Sequence, residues 1–458
     1  MSESTHSSIK QMIFNKVKTS IVWLVLVYLG MKAGYSQSVT FYKDVQPIVH
    51  GNCAVCHRPG EAAPFSLITY EDVSKRAKFI RKVVSTRYMP PWKADDHFVD
   101  FANNRSLSEK EIATIVDWID AGTPKGKENP KAEKALLERV NAGTAYARKP
   151  DLTLKMSDAF VQKGDGKERF MMFKIPFELP QGANVEAIEF TSNNKKIIHH
   201  ANYAIHPVED TVINLYNTVD MVDLNGESAS QYYQWVKYKQ QMAYYGGWIP
   251  GATYETYPKN MGWEMPRRGV MLLTVHYGPS ALDAESINGV NFFFKSTPIE
   301  RKVKVISLGS GGIGEKDIKP PFMIFANEVK SFTLRVANNQ PDVSLLYAWP
   351  HMHQLGKSFK AYATQASGDT IPLVRIPAWD FRWQEIYRYP KPVLLPKGAI
   401  VHIEGTYDNT ANNPMNPHNP PQLVLSDGNM RSDQEMMTLI LMYVERKEGD
   451  DALTFDWE

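Results

Sequence analysis

The sequence predicts a multidomain chain in which a small all-α domain is followed by two all-β antiparallel sandwich domains. The chain has 458 residues, 43% hydrophobic and 22% charged, which is enough apolar material for more than one core. Apolar residues at helical spacing behind capping boxes are confined to residues 38–125. From residue 151 onwards, short alternating runs separated by Gly, Pro and Asn are typical of antiparallel sandwiches.

Residues 1–37 have the pattern of a secretory signal peptide. Lys16 and Lys18 precede an apolar stretch from Ile21 to Leu29, and small residues follow it. We expect cleavage near Ser36, and therefore a periplasmic or secreted protein. Because the stretch is shorter than the roughly 20 residues of a spanning helix, no stable membrane insertion is expected after cleavage. An uncleaved membrane anchor is the alternative.

Residues 38–125 are predicted to form the all-α domain. Two capping boxes, Thr69-x-x-Asp72 and Ser108-x-x-Glu111, each precede apolar residues at helical spacing. Between the two predicted helices lies Met89-Pro90-Pro91-Trp92, which is incompatible with a helix and predicts a stiff loop.

The remaining domain boundaries follow from shifts in composition. Residues 126–150 are rich in Lys, Glu, Ala and Pro and are predicted to be a linker. The strand-like runs divide at the glycine-rich segment from Gly309 to Pro321. We therefore expect one sandwich over residues 151–308 and a second over residues 309–458.

The run Cys53-Ala54-Val55-Cys56-His57 predicts one covalently attached haem c. Two thiols at this spacing can form thioethers with the haem vinyl groups, while the adjacent imidazole takes an axial position on the iron. A zinc site is the alternative, but it needs two further soft ligands and the chain has only two cysteines. The same count excludes a disulfide framework in a chain that we expect to be exported.

Met89 is the predicted second axial ligand, because a stiff loop between capped helices can aim its thioether at the iron. His97 is the alternative ligand, and core filling is the ordinary role of a methionine. With the haem motif, residues 38–125 resemble a class I c-type cytochrome.

Histidines in the second part of the chain form a pattern that is weak residue by residue. His199 and His200 are adjacent at the end of an apolar strand-like segment, and His276 lies in another. His351 and His353 are more informative, because side chains at i and i+2 of a strand point to the same side and can share a metal. Histidines satisfied in a core or exposed on a surface are the alternative.

Taken together, residues 151–447 resemble the copper type II, ascorbate-dependent monooxygenases, the family of peptidylglycine hydroxylase and dopamine β-hydroxylase. The resemblance implies two eight-stranded jelly-roll sandwiches with two copper ions in the cleft between them. The segments that carry it, in the order of the family, are Ile198-His199-His200, Thr274-Val275-His276-Tyr277-Gly278, His351-x-His353-x-Leu355-Gly356-Lys357 and Asp433-Gln434-Glu435-Met436.

The resemblance also implies two sets of three ligands, one for an electron-transfer copper and one for the catalytic copper that meets O2. Imidazoles suit both oxidation states of copper, and a thioether favours Cu(I), the state that reacts with O2. Three protein ligands leave coordination positions open at the catalytic copper. The ligands are His199, His200 and His276 for the first copper and His351, His353 and Met436 for the second.

Three substitutions separate this chain from peptidylglycine hydroxylase. Trp349 stands where that enzyme has the arginine that grips a peptide carboxylate, and Thr438 and Ile440 replace its Asn and Tyr beyond the methionine ligand. Peptide amidation is therefore not expected. A more apolar or aromatic substrate fits Trp349 and Ile440.

The function expected from the sequence is that of a copper-dependent monooxygenase, an oxidoreductase that acts on paired donors. It would insert one oxygen atom of O2 into a C–H bond of a small-molecule substrate. Electrons from an ascorbate-like reductant or a redox protein would pass through the haem to the copper bound by His199, His200 and His276. The formal net charge is only +2, so the sequence lacks the excess of basic residues that is typical of nucleic-acid-binding proteins.

Two alternatives to this enzyme remain open. The first is an exported haem and copper protein that transfers electrons or binds copper without oxygen insertion. The second is a structural sandwich with incidental histidines, which would bind no copper.

Overall fold

The computed structural model describes residues 39–128, 130–141, 146, 148–426 and 433–455. The predicted signal peptide, residues 1–37, lies outside this part of the chain. Strands dominate after residue 150, and helices other than 3-10 segments are confined to the residues before it. The prediction of a mostly β chain is therefore confirmed. In the part of the chain that the structure describes, no helix combines the length and apolar character needed to cross a membrane.

The first part of the chain is helical and has a small core of its own, in which Trp118 is fully buried. Both predicted capping boxes form: Thr69 and Ser108 accept bonds from backbone N–H groups three residues on, and Asp72 and Glu111 bond back to the N-caps. The elements are a π-helical turn Phe41–Val45, α1 Gln46–Asn52, α2 Tyr70–Ser74, α3 Ala77–Ser85, α4 Glu109–Asp120 and α5 Pro130–Asn141.

A segment between α3 and α4, residues 92–105, leaves the helical part and packs on the second sandwich. Ala94 and Phe101 are buried in the core of that sandwich. The amides of Asp95 and Ala102 each donate a 2.8 Å bond to a carbonyl oxygen of the sandwich. The helical part therefore shares packing with a β domain, and its assignment as a class I cytochrome c domain remains a prediction.

The first sandwich contains two sheets that face each other across one core. Its strands are β1 Leu152–Lys155, β2 Phe160–Gln162, β3 Arg169–Glu178, β4 Ala183–Ser192, β5 Ile198–Pro207, β6 Met221–Asp223, β7 Tyr244–Trp248, β8 Glu255–Thr256, β9 Met261–Met265, β10 Arg268–Tyr277, β11 Ala284–Ser286, β12 Asn288–Lys295 and β13 Arg301–Lys302. One sheet has the order β1-β12-β4-β9-β13 with β8 beside β4, and the other has the order β6-β3-β10-β5-β7. Strands β2 and β11 pair separately.

The second sandwich is built in the same way around a second core. Its strands are β14 Lys304–Gly309, β15 Ile313–Gly314, β16 Met323–Ile324, β17 Val329–Ala337, β18 Val343–His351, β19 Gly356–Thr364, β20 Thr370–Ile376, β21 Tyr387–Leu395, β22 Ile400–Asp408, β23 Val424–Leu425 and β24 Thr438–Glu445. The sheets have the orders β15-β14-β24-β18-β21 and β17-β22-β19-β20, and β16 pairs with β23.

Strand β10 is buried along its whole length. Alternate residues such as Met271 face the core between the two sheets. The opposite face is covered by residues 208–238, whose Trp235 and Tyr238 pack against Leu272. The strand that carries His276 is therefore enclosed on both faces.

The two sandwiches are in direct contact. The hydroxyl of Tyr347 in the second sandwich donates a 2.6 Å bond to the carbonyl oxygen of Thr256 in the first. Trp349 stacks on Tyr245, with ring centroids 5.7 Å apart. Only glycine fits at position 247, because a Cβ atom there would lie 2.6 Å from the Trp349 ring. The ends of β5, β10 and β18 are brought together at this junction.

Candidate metal centre

A β-bulge brings His199, His200 and His276 to one point. His276 on β10 pairs with His200 on β5, whereas the next residue, Tyr277, pairs with Ile198. His199 is therefore the extra residue of a bulge. Adjacent residues of a regular strand point to opposite faces, and a bulge removes this alternation locally. Both neighbouring rings can then approach His276.

The three imidazoles are within contact distance of one another. The Nδ1 atom of His199 lies 3.2 Å from the Nδ1 atoms of both His200 and His276. One ring nitrogen from each residue lies within 4.8 Å of the other two. Three converging imidazoles are a suitable donor set for copper or zinc.

Two further side chains hold His276 in place. Its Nε2 atom lies 3.1 Å from Oε2 of Glu168, and the ring of Phe170 stacks on it with centroids 3.9 Å apart. A carboxylate on the far nitrogen is a common outer partner of a metal-binding histidine. Sequence analysis missed Glu168, because it lies 108 positions from His276 and becomes its neighbour only through the pairing of β3 with β10.

The second pair, His351 and His353, lies at the end of β18. Met352 between them packs into the sandwich core, and the two histidine rings lie together with centroids 5.0 Å apart. Nδ1 of His351 is 2.5 Å from Oε1 of Gln384, and Nδ1 of His353 is 3.0 Å from the carbonyl oxygen of Gln434. Each oxygen accepts a hydrogen bond from the Nδ1–H group, which leaves the Nε2 lone pair of a neutral ring for a metal.

Glu435 organises the segment around this pair. Its buried carboxylate accepts backbone N–H bonds from His353 at 2.9 Å, Leu355 at 2.7 Å and Met436 at 3.1 Å. Burial raises the pKa of Glu435 to about 8, and these bonds oppose the shift. The backbones of Met436 and His353 are thus held beside each other, as a shared metal site requires.

Phe381 lies between the two groups of histidines. Its ring centroid is 4.9 Å from that of His199 and 5.7 Å from that of His353. His200 and His351 approach each other directly, with centroids 6.4 Å apart. Both sandwiches therefore contribute to one chamber, which we call the histidine chamber. It consists of the rings of His199, His200, His276, His351 and His353 around Phe381.

Burial keeps the first group of histidines neutral. It lowers the pKa of His199 to about 4, and the nearby carboxylates of Glu168 and Asp380 only partly oppose this shift. Burial also lowers the pKa values of His200 and His276 well below 6.5, and neighbouring imidazoles lower them further. At neutral pH these rings are therefore unprotonated, the state in which imidazole binds a metal.

The Cys-x-x-Cys-His run forms a turn directly after α1. Cys53 and Cys56 form no disulfide with each other, and burial raises the pKa of Cys53 to about 12. Nδ1 of His57 lies 3.0 Å from the carbonyl oxygen of Phe65, which leaves Nε2 of a neutral ring available to an iron. This arrangement, with Cys56 in the same turn, fits covalent attachment of haem c.

The two predicted candidates for the other axial position differ in exposure. Met89 is half-buried after α3, and its amide donates a 3.1 Å bond to the carbonyl oxygen of Val83. His97 is exposed, within the segment that packs on the second sandwich. Partial burial suits an iron ligand better than exposure, so Met89 remains the prediction.

The three positions that differ from peptidylglycine hydroxylase are packing positions in this chain. Trp349 is buried in the junction between the sandwiches. Thr438 and Ile440 are buried on β24, where they pair in register with His351 and Trp349. These positions therefore offer no cation to a substrate carboxylate.

Sequence analysis passed over Phe381 and Gln384 and assigned no role to Glu435. Phe381 and Gln384 lie in an irregular loop, where a single residue has no periodic spacing that could reveal it. Glu435 had a weak signal, since it directly precedes the predicted ligand Met436.

No protein-family model matches the chain, and no curated protein matches it. Among solved structures, the major capsid protein P2 of bacteriophage PM2 matches with 8% identity and a TM-score of 0.27, over 65% of this chain and 98% of that one. Allantoicase matches with 9% identity and a TM-score of 0.16, over 55% and 81%. A Paenibacillus xanthan lyase matches with 8% identity and a TM-score of 0.17, over 66% and 27%. Likenesses of this size carry no argument about fold or chemistry.

Proposed function

We propose that this protein is an exported copper-dependent monooxygenase, similar to the copper type II, ascorbate-dependent enzymes, with a fused class I c-type cytochrome as its electron donor. The observation that carries the proposal is the histidine chamber, to which both sandwiches contribute. A histidine that serves only in a core or on a surface needs one hydrogen-bond partner. It does not need several other histidine rings close to it.

The convergence of His199, His200 and His276 supports a metal ion at the first set, and the second set is proposed beside it. The far nitrogen of His276 faces Glu168, and Nδ1 of His351 faces Gln384, so each ring is oriented by an outer partner. When bound, copper would supply a one-electron couple at each set. The proposed sets are His199, His200 and His276 for the first copper and His351, His353 and Met436 for the second.

The proposed reaction converts one C–H bond of a small substrate into C–OH. It consumes one O2, two electrons and two protons, and the second oxygen atom leaves as water. Phe381 is 4% exposed and presents an apolar ring to the histidines, so it limits the access of water to the chamber. The apolar ring of Phe381 beside the histidines favours an apolar or aromatic substrate.

The proposed electron source is a haem c held by Cys53, Cys56 and His57, with Met89 as the other axial ligand. An external one-electron donor, either an ascorbate-like enediol or a redox protein, would reduce the haem. Two successive electrons are then delivered for each substrate that is hydroxylated.

A second candidate function is electron transfer or copper binding without oxygen insertion. The observation that favours it is the burial of Trp349, Thr438 and Ile440, since packing residues occupy the positions where peptidylglycine hydroxylase grips its substrate. Both candidates share the haem and the copper, and they differ only in the fate of O2.

The test follows the haem absorption of reduced, fully matured protein after O2 is added. Copper-loaded protein, copper-free protein and the His351→Ala variant are compared. His402→Ala is the matched control, because His402 stacks on Tyr362 on the other sheet of the same sandwich, with centroids 4.7 Å apart. We expect fast reoxidation that requires copper, survives in His402→Ala and is lost in His351→Ala.

Equal rates in all samples would contradict the proposal. Isotopically labelled O2, offered with a panel of apolar and aromatic substrates, then separates the two candidates. Label in a hydroxylated product supports the monooxygenase. Copper-dependent oxygen consumption without labelled product supports the second candidate.

A further inference from the structure

The Cys-x-x-Cys-His turn lies against the first sandwich and close to an arginine of the segment that packs on the second. Gly251 marks the contact, since a Cβ atom at this position would lie 2.9 Å from Sγ of Cys56 and 2.4 Å from Nη1 of Arg105. Sγ of Cys56 and Nη1 of Arg105 therefore both lie next to Gly251. Cys56 is the residue through which one edge of the predicted haem is bonded to the chain.

From Arg105 the contacts continue into the loop between β20 and β21. Arg105 forms an ion pair with Glu385, and the two side chains are 18% and 9% exposed. This burial protects the pair from exchange with solvent. Asn103 adds a 2.9 Å bond to the carbonyl oxygen of Ile386, which fixes the position of the loop beside Arg105.

The same loop reaches the histidine chamber one residue earlier in the chain. Gln384 is 6% exposed, and its Nε2 donates a 3.2 Å bond to the carbonyl oxygen of Phe381. This orients its Oε1 atom towards His351, whose Nδ1 lies 2.5 Å away. A series of neighbours therefore leads from Cys56 to His351, with Gly251 between Cys56 and Arg105 and the backbone between Glu385 and Gln384.

We infer that electrons leave the haem at Cys56 and enter the copper centre at His351, through a link formed by Arg105, Glu385 and Gln384. The inference rests on the proposed function and specifies the route by which electrons reach the copper. A haem held by Cys53, Cys56 and His57 would give up one electron, going from iron(II) to iron(III), and a copper held by His351, His353 and Met436 would accept it, going from copper(II) to copper(I). The external one-electron donor then reduces the haem again.

The sequence analysis expected electrons to enter at His199, His200 and His276, and a second contact leads there. Lys195 forms a 3.0 Å ion pair with Glu61, four residues beyond the haem-binding histidine. Glu61 is not bonded to the haem, and Lys195 lies four residues of backbone before His199. The route through Glu61 and Lys195 therefore includes four residues of backbone next to the haem and four more next to His199. Electronic coupling falls with each bond or gap that is added, so this route should be the slower one.

The test uses full-length protein with haem attached and both coppers in the copper(II) state. A light pulse and a photosensitiser inject one electron into the haem. Visible absorption then follows haem oxidation, and rapid-freeze electron paramagnetic resonance follows the loss of copper(II). Gln384→Leu keeps the size of the side chain and removes the amide, and Glu385→Gln removes the charge that pairs with Arg105. Lys195→Met breaks the competing contact and is the matched control.

We expect haem oxidation to be several-fold slower in Gln384→Leu and in Glu385→Gln than in the unaltered protein, because each substitution alters one contact of the link. Lys195→Met should retain the rate of the unaltered protein. Copper content and the copper reduction potential are measured for each variant, so that rates are compared at equal occupancy and driving force. A merely structural role for Gln384 would change occupancy or potential and leave the corrected rate unaltered.

Two outcomes overturn the inference in different ways. Slow transfer in Lys195→Met, together with unaltered rates in the other two variants, would place electron entry at the first copper and leave the proposed function standing. A reduced haem that never passes its electron to copper in the unaltered protein would overturn the inference and the proposed function together.

Discussion

The imidazole rings of His200 and His351 lie 6.4 Å apart, although one belongs to the first sandwich and the other to the second. The chamber they share exists only while the two sandwiches are docked. Each proposed ligand set lies within one sandwich, so docking adds no ligand to either set and instead fixes the distance between them.

Gly247→Ala tests the junction between the sandwiches. The added Cβ would lie 2.6 Å from the Trp349 ring, 2.9 Å from Oδ1 of Asn202 and 3.0 Å from the carbonyl oxygen of Ala201. We expect the free energy of unfolding to fall by about 1–3 kcal/mol, as for other overpacked sites, in chemical denaturation. Gly278→Ala is the control, since its Cβ would meet only the Ile197 carbonyl oxygen at 4.0 Å. Equal effects of the two substitutions would contradict the assignment of Gly247 to the junction.

Glu435→Gln tests the carboxylate that gathers the second ligand set. Oε2 accepts from His353 and Met436 and Oε1 accepts from Leu355, so whichever oxygen becomes an NH2 group, at least one of these backbone bonds is lost. We expect a loss of about 1–3 kcal/mol in stability and a fall of about 10–100-fold in copper affinity at the second position. Unfolding and copper titration measure the two effects. Glu404→Gln, a half-buried carboxylate that faces Lys360 on the same sandwich, should change neither.

The stability of the metal-free protein should fall as the pH is lowered from 6.5 to about 4. In the folded protein burial lowers the pKa of His199 from 6.5 to about 4, whereas the unfolded chain takes up its proton near 6.5. Between these values the unfolded chain binds more protons, so acid favours unfolding. His200 and His276 act in the same direction.

Urea unfolding of the metal-free protein at a series of pH values measures how steeply the free energy of unfolding falls as the pH is lowered. In His199→Asn a polar amide that does not titrate replaces the imidazole. The free energy of unfolding of this variant should therefore depend less steeply on pH than that of the unaltered protein. An equal pH dependence of the two proteins would show that protonation of His199 does not contribute to the loss of stability in acid.

Copper stoichiometry separates the two ligand sets. We expect two copper ions per chain in the unaltered protein and one in His276→Ala, because that substitution removes a ligand from the first set alone. Elemental analysis after removal of loosely held metal gives the count. His418→Ala is the control, since Nε2 of His418 faces the carbonyl oxygen of Asp433 at 3.2 Å. Retention of two coppers in His276→Ala would contradict the assignment.

The sequence predicted the change from helices to strands near residue 150, and both capping boxes, from local patterns. These two predictions succeed because helix capping and the alternation of apolar and polar residues in strands depend on residues that are close together in the chain. The bulge at His199 was beyond prediction, since it is defined by the register between β5 and β10, which no spacing in the sequence reports. Phe381 and Gln384 were missed for the same reason, because their role depends on where an irregular loop lies in the folded chain.

The apolar side chains of Ala94 and Phe101, which lie between two helices in the sequence and inside a β core in the structure, also bear on how this protein can be dissected. A cut at the predicted linker would strip these two side chains from the second sandwich and expose the surface that they cover. The helical part is therefore not an interchangeable module. An engineer who replaced it with another domain would have to keep residues 92–105 with the sandwiches.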